Sequence, residues 1–121
     1  LVLKQVKPQA EVIVGATTDP QFGPVIMVGL GGIFVEIFKD LSFGIAPVDR
    51  KEATHMLESL KAYPILTGAR GRVPVNLDKL LNLIVKVSEY VVDQAIEEMD
   101  LNPVFCVGDD VLIGDVRILL A

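Results

Sequence analysis

Asp100-Leu-Asn-Pro-Val-Phe-Cys-Val-Gly-Asp-Asp-Val-Leu-Ile-Gly-Asp-Val-Arg117 reads as a strand, a tight turn and a returning strand. Successive side chains of a strand alternate, so Asp100 and Asn102 leave by the same face. The turn at Gly108-Asp109-Asp110 sends the chain back through Val111-Leu112-Ile113 and brings Asp115 and Arg117 alongside. With Asp109-Asp110, or any loop of even length, as the turn, Asn102 faces Arg117 and Asp115 faces Val104. Asn102 and Asp115 are then diagonal neighbours, roughly 7–8 Å apart at the backbone. Two oxygen donors on one sheet face suit a Mg²⁺ ion, which takes carboxylates, waters and phosphates. The arginine beside them suits a phosphate group. The same residues also fit a hairpin whose wet face simply meets solvent, and spacing leaves both readings open.

Upstream, the chain is a succession of strand-like runs. Residues 1–6 form a short apolar strand that halts at Lys7-Pro8-Gln9, and residues 11–16 follow with Val12 and Val14 on one face. Residues 17–24 are dense in turn formers and read as a hairpin loop. Val25-Ile-Met-Val28 is wholly apolar, Gly29-Leu-Gly-Gly32 breaks it, and strands are expected again over 34–40 and 42–46. So many strands before any helix predict an antiparallel sheet and the α+β class.

Two helices follow. Asp49 caps the first, over 49–61, with Glu52 three residues on as a capping box requires, and Ala53, Met56, Leu57 and Leu60 form its apolar stripe. Tyr63-Pro64 ends it. Asn76 caps the second, over 77–92, whose stripe is Leu77, Leu80, Leu81, Ile84, Val87 and Val91, widened by Leu83 and Val85. Both stripes are expected on one face of the sheet, with the other face polar. His55 lies off the stripe and reads as a solvent-facing residue. Residues 65–75 carry Arg70 and Arg72 in an otherwise acidic chain, as a solvated loop or as a docking loop that contacts anions.

At 121 residues the chain holds one domain, and 51% hydrophobic against 22% charged residues marks it as globular. A net charge of −5 argues against nucleic acid and against an anionic membrane surface. The uncharged run after Pro20 is broken by Pro and Gly and is shorter than the roughly 18–20 residues of a membrane span, so a soluble domain is expected. Cys106 is the single cysteine, which excludes an internal disulfide. By alternation it shares the face of Asn102 and is expected to be partly exposed, as a small strand residue and not a nucleophile. The chain opens at Leu1 without a basic leader and reads as a piece of a longer, cytoplasmic protein. Gly29-Leu-Gly31-Gly32 leads into a strand and lacks the last glycine of a dinucleotide fingerprint, so it reads as a tight turn.

The run from Glu11 through Gly-Leu-Gly-Gly32 to Glu36, the loop Leu66-Thr-Gly-Ala-Arg70-Gly71 and the closing Asp100-Leu-Asn-Pro … Gly-Asp115-Val-Arg117 together resemble the ATP-grasp region of ADP-forming acyl-CoA synthetases. The closing element is similar to the Glu-x-Asn-Pro … Asp-Gly/Ala-Lys/Arg segment of succinyl-CoA synthetase β subunits, with Asp100 in place of the glutamate. The resemblance implies that residues 1–121 are the C-terminal half of an ATP-grasp domain, an antiparallel sheet with two helices on one face. It implies ATP/ADP and Mg²⁺ as cofactors. The backbone of Lys4-Gln5-Val6 would meet adenine, Glu11 the ribose hydroxyls, Asn102 and Asp115 the metal, and Arg117 the phosphates. The reaction implied interconverts acyl-CoA, ADP and phosphate with carboxylic acid, CoA and ATP through a phosphohistidine. The implied partners are the nucleotide, the N-terminal ATP-grasp half and a CoA-binding subunit or domain, with no nucleic acid and no membrane. The chain alone is expected to be inactive and prone to self-association. The same module also occurs as a non-catalytic sensor region of protein acetyltransferases, and the residues do not separate the two parents.

Overall fold

The computed structural model describes residues 8–32, 37, 39–71 and 73–120; the strand expected over 1–6, and with it Lys4, Gln5 and Val6, lies outside them. Strands β1 (Ala10–Asp19) and β2 (Gly23–Leu30) form a hairpin longer than expected. The Asp19 carboxylate accepts the N–H groups of Gln21 (2.7 Å) and Phe22 (3.0 Å) and closes the turn over 20–22, so Thr17 and Thr18 stay in the strand. Strand β3 is Leu41–Ile45. Of the strand expected over 34–40, residues 34–36 and 38 are outside the described residues, while Lys39 (φ 51°) and Asp40 belong to no strand.

Helix α1 (Arg50–Glu58) starts as its capping residues dictate, with Asp49 Oδ1 accepting the Glu52 N–H at 2.7 Å. It stops at Glu58 instead of 61. Buried Asp40 accepts the N–H groups of Lys61 and Ala62 at 2.8 Å each, which a continuing helix would aim at its own carbonyls. Tyr63-Pro64 then opens a short helix, α2 (Tyr63–Leu66), because proline is well placed at a first helical turn. A 3₁₀ turn, Ala69–Gly71, carries Arg70, and Arg72 is outside the described residues. Helix α3 (Leu77–Asp93) begins at Asn76, whose side chain accepts the Lys79 N–H at 3.1 Å.

Strands β4 (Ile96–Val107), β5 (Asp110–Ile113) and β6 (Val116–Leu120) complete an antiparallel sheet of order β3-β2-β1-β4-β5, with β6 also paired to β4. The β1–β4 pairing joins strands separated by all three helices. Helices α1 and α3 cover one face, where Val12, Val14, Ile26 and Val28 meet Leu57, Leu80, Ile84 and Val91 in one core. Full burial of each such side chain contributes about 1.5–3 kcal/mol. Ser88 sits inside the α3 stripe without penalty because it accepts the Val48 N–H (3.0 Å) and donates to the Val85 carbonyl (2.7 Å). His55 is exposed, as its position off the stripe requires.

The opposite face is not uniformly polar. Phe43, Ile45 and Leu112 stand 63%, 53% and 53% exposed on it. A wholly apolar strand such as β2 sends apolar side chains to both faces, so Met27 and Val25 join Phe43 and Ile45 on the open side. Among the described residues no helix is long and apolar enough to cross a membrane.

Candidate functional site

One register runs through the closing hairpin from its turn as far as the Glu98–Leu119 pair. Val107 pairs with Asp110 and Val104 with Ile113 in β4–β5, and Leu101 pairs with Val116 and Asp100 with Arg117 in β4–β6. Between the two ladders, Gly114 N–H donates to the Pro103 carbonyl (2.8 Å) and Asn102 N–H to the Asp115 carbonyl (3.2 Å). Asn102 therefore stands directly opposite Asp115, and Arg117 faces Asp100 instead of Asn102. The expected turn was one residue out, and even loop length does not by itself fix the partners: the loop is Gly108-Asp109, also two residues, and Gly108 takes φ 58°, a left-handed conformation that glycine adopts without strain. Direct opposition shortens the Asn102–Asp115 separation from a diagonal to about 4.5–5.5 Å between Cβ atoms.

A bulge sets which way these residues face. Between Val12 and Val14, β1 has one residue where β4 has two, Asn102 and Pro103, joined by a cis peptide bond. Leu101 and Val104 thus both enter the core, leaving Asp100 and Asn102 on the open side. The same bulge reverses the alternation beyond it. Cys106 is therefore fully buried, not partly exposed on the face of Asn102, and burial pushes its thiol up to about 11. Gly114 fits the bulge closely: a Cβ there would lie 2.7 Å from Phe105 Cε2 and 3.1 Å from the Pro103 carbonyl oxygen.

Toward the β1–β2 turn, the open face hollows into a concavity of about 760 Å³. Met27, Phe43 and Leu119 form its apolar walls, and Asp100 and Arg117 its polar rim. Gly15 is the floor: a Cβ there would lie 3.3 Å from Met27 Cε and 3.9 Å from Asp100 Oδ1. Sequence reasoning missed this hollow, and the available signal was Gly15, a glycine in the middle of a strand that is β-branched on its N-terminal side at Val12-Ile-Val14. Arg117 makes no ion pair among the described residues, where the pairs are Arg50–Asp78 and Lys79–Asp110. Asp115 Oδ1 accepts the N–H of Val116 at 2.9 Å, which holds the carboxylate at the hairpin's margin.

Glu11 lies further along the same face, opposite Phe105, exposed and beside a smaller hollow of about 260 Å³. Its carbonyl accepts the Gly31 N–H at 2.7 Å, and the backbone approaches so closely that a Cβ on Gly31 would touch Glu11 at 3.4 Å. Within Gly29-Leu-Gly31-Gly32, Gly31 thus lies against Glu11, and Gly32 takes a φ of 71°, as a turn there requires. Along the open face the order is Glu11, then Asn102–Asp115, then Asp100–Arg117 and the concavity. Among the described residues no cluster of three or more His, Cys, Asp or Glu side chains is arranged to hold a metal. Asn102 and Asp115 are a two-donor set of hard oxygens, which fits an ion that keeps several waters better than a protein-only cage.

A family model described as an ATP-grasp domain matches residues 1–120. The chain is 52% identical over 111 residues to the beta subunit of the ADP-forming acetate–CoA ligase I of Pyrococcus furiosus, covering 91% of this chain and 48% of that subunit. It is 50% identical over 124 residues to the beta subunit of ligase II from the same organism, covering 99% of this chain and 52% of that subunit. The chain thus spans about half the length of these curated relatives. Among solved structures, the dinucleotide forming acetyl-coenzyme A synthetase 1 of Ca. Korarchaeum cryptofilum superposes with a TM-score of 0.89 at 42% identity, over 95% of this chain and 55% of that one. That structure holds coenzyme A and Mg-AMPPCP, with its phosphohistidine segment pointing towards the nucleotide binding site. With this chain matched over residues 1–120 and its fold shared with a synthetase, the chain belongs to the ATP-grasp domain family.

Proposed function

We propose that the chain is the C-terminal half of an ATP-grasp domain, serving as the nucleotide- and Mg²⁺-binding part of an ADP-forming acyl-CoA ligase. The observation that carries this reading is Asn102 directly opposite Asp115 on the open sheet face, with Arg117 close by and in no ion pair among the described residues. In this reading Asn102 and Asp115 hold Mg²⁺, Arg117 meets the phosphates, Glu11 the ribose and Lys4-Gln5-Val6 the adenine. The linear order of Glu11, the oxygen pair and the arginine along the face matches the order of ribose, metal-bound phosphates and terminal phosphate in a nucleotide.

Mg²⁺ supplies neutralisation of the charge that builds on the phosphates during transfer. The residues of this chain bind and orient. The Val116 N–H fixes one oxygen of Asp115, and Arg117 offers its planar donors to phosphate oxygens. The proposed reaction is acyl-CoA + ADP + phosphate ⇌ carboxylic acid + CoA + ATP, through a phosphohistidine. His55, the chain's one histidine, is exposed on α1 and so lies on the helix side of the sheet, away from Asn102. The histidine that carries the phosphoryl group therefore comes from elsewhere in the assembly, together with the N-terminal ATP-grasp half and the CoA-binding domain. The relatives compared above are named as CoA ligases or synthetases, which favours this reading over a non-catalytic module of an acetyltransferase.

Titration calorimetry with Mg·ADP tests the reading, on this chain and on the longer protein that contains it. The chain alone is expected to bind weakly, because half the pocket walls are missing and water is not excluded. The longer protein is expected to bind tightly and to lose about tenfold or more on Asn102→Ala or Asp115→Ala. Tight binding by the chain alone would overturn the half-domain assignment. Parental affinity of both variants in the longer protein would overturn the metal site.

A further inference from the structure

The two proposed metal donors are held very unequally. Asn102 lies on β4, which has β1 on one side and the β5–β6 hairpin arm on the other. Asp115 lies between β5 and β6 on the margin of the sheet, and every residue of β6 is exposed. Sheet margins open locally at much lower free energy than central strands, so the pair depends on what keeps the margin closed.

The tip of the hairpin is tied down at three consecutive residues. Gln9 engages both backbone polar groups of Gly108: its Oε1 accepts the Gly108 N–H at 2.5 Å, and its Nε2 donates to the Gly108 carbonyl at 3.1 Å. The same Nε2 donates to the Pro74 carbonyl at 3.2 Å, just ahead of α3. Asn76 Nδ2 donates to the Asp109 carbonyl at 3.2 Å, and Lys79 Nζ pairs with Asp110 at 2.8 Å. The last contact joins side chains 50% and 66% exposed, so salt and water weaken it. Gln9 is different in kind. Its backbone N–H is bonded to the Cys106 carbonyl at 2.8 Å, so the side chain reaches the turn from a fixed point beside β4.

From this arrangement we infer that Gln9 is a positioning residue for the Asn102–Asp115 pair. It fixes the Gly108-Asp109 turn, the turn sets the register of both ladders, and that register is what sets Asp115 opposite Asn102. The inference rests on the metal reading for its functional consequence, but the mechanical part stands apart from it. Glutamine suits the task because one side chain must both accept and donate. Glutamate keeps the acceptor for Gly108 N–H and loses both donations; asparagine is one methylene too short.

Hydrogen exchange read by mass spectrometry on the full-length protein, with Mg·ADP titrations beside it, tests this. Gln9→Ala is expected to speed exchange in peptides covering 108–120 by about tenfold while those covering 23–30 keep the parental rate. Mg·ADP affinity is expected to fall about fivefold to tenfold, with Gln9→Glu between parent and Gln9→Ala in both measurements. Parental exchange over 108–120, or an equal rise across all peptides, would overturn the inference. So would selective exchange with undiminished Mg·ADP affinity, where Asn102→Ala has lost it. Should Asn102→Ala also bind as the parent does, the metal reading has failed instead, and the exchange data alone decide whether Gln9 holds the margin.

Discussion

The two faces of this sheet are built from the same strands and differ in what covers them. On the helix side, Val12, Val14, Ile26 and Val28 are 0% exposed beneath α1 and α3. On the other side Phe43 and Ile45 stand open beside a concavity with a glycine floor. The covered face is a close-packed interior in which each side chain has one place to go. The open face has apolar walls, unpaired polar groups and no cover among the described residues, which is the composition of a binding surface and not of a core. Stability is concentrated on one face, and the proposed nucleotide and metal contacts on the other.

The sharpest way to break this contrast is to truncate the covered face. Leu57→Ala and Leu81→Ala, at 1% and 7% exposure, should each cost about 2–5 kcal/mol. Thermal melts that overlay the parent would show that the stripes do not face the sheet. Gly114→Ala comes next, since its Cβ would press on the Pro103 carbonyl as well as on Phe105. A loss of about 1–3 kcal/mol in denaturant unfolding is expected, accompanied by weaker Mg·ADP binding in the longer protein.

Cys106 sharpens the contrast through pH. Its buried thiol has a pKa raised from 9.0 to about 11, so the neutral form is the one the fold favours. That contribution is complete below pH 9 and is lost as the pH rises toward 11, at about 1.4 kcal/mol per pH unit. Cys106→Ala should be less stable at neutral pH but should lack this added slope in alkaline unfolding. The smallest effect belongs to the open face. Phe43→Ser and Leu112→Ser should change stability by no more than about 0.5 kcal/mol while reducing any self-association seen by sedimentation. A large loss of stability there would mean that the open face is part of the core.

The parts legible in the sequence were those with short-range causes. Asp49 and Asn76 cap their helices, and the α1 and α3 stripes are buried, because capping and helical periodicity depend on residues three or four apart. The hairpin carrying Asn102 and Asp115 was legible for the same reason. Its register was not, because Gly108-Asp109 and Asp109-Asp110 are both acceptable two-residue turns locally. The apolar open face was missed because β2 is apolar throughout, and alternation says nothing when both parities are apolar. The β1–β2 hairpin was underestimated because Thr17 and Thr18 lie among turn formers, while one Asp19 carboxylate suffices to close the turn.

By itself the sequence determined the α+β class, the two amphipathic helices and a hairpin bearing Asn102, Asp115 and Arg117. Each follows from spacing along the chain, and spacing is preserved in any fold. Only the tertiary structure decided that β1 lies beside β4, that the bulge at Asn102-Pro103 sends Cys106 inward, and that Asp115 stands opposite Asn102. Those outcomes depend on contacts between residues as far apart as Gln9 and Gly108, whose preferences no local window contains.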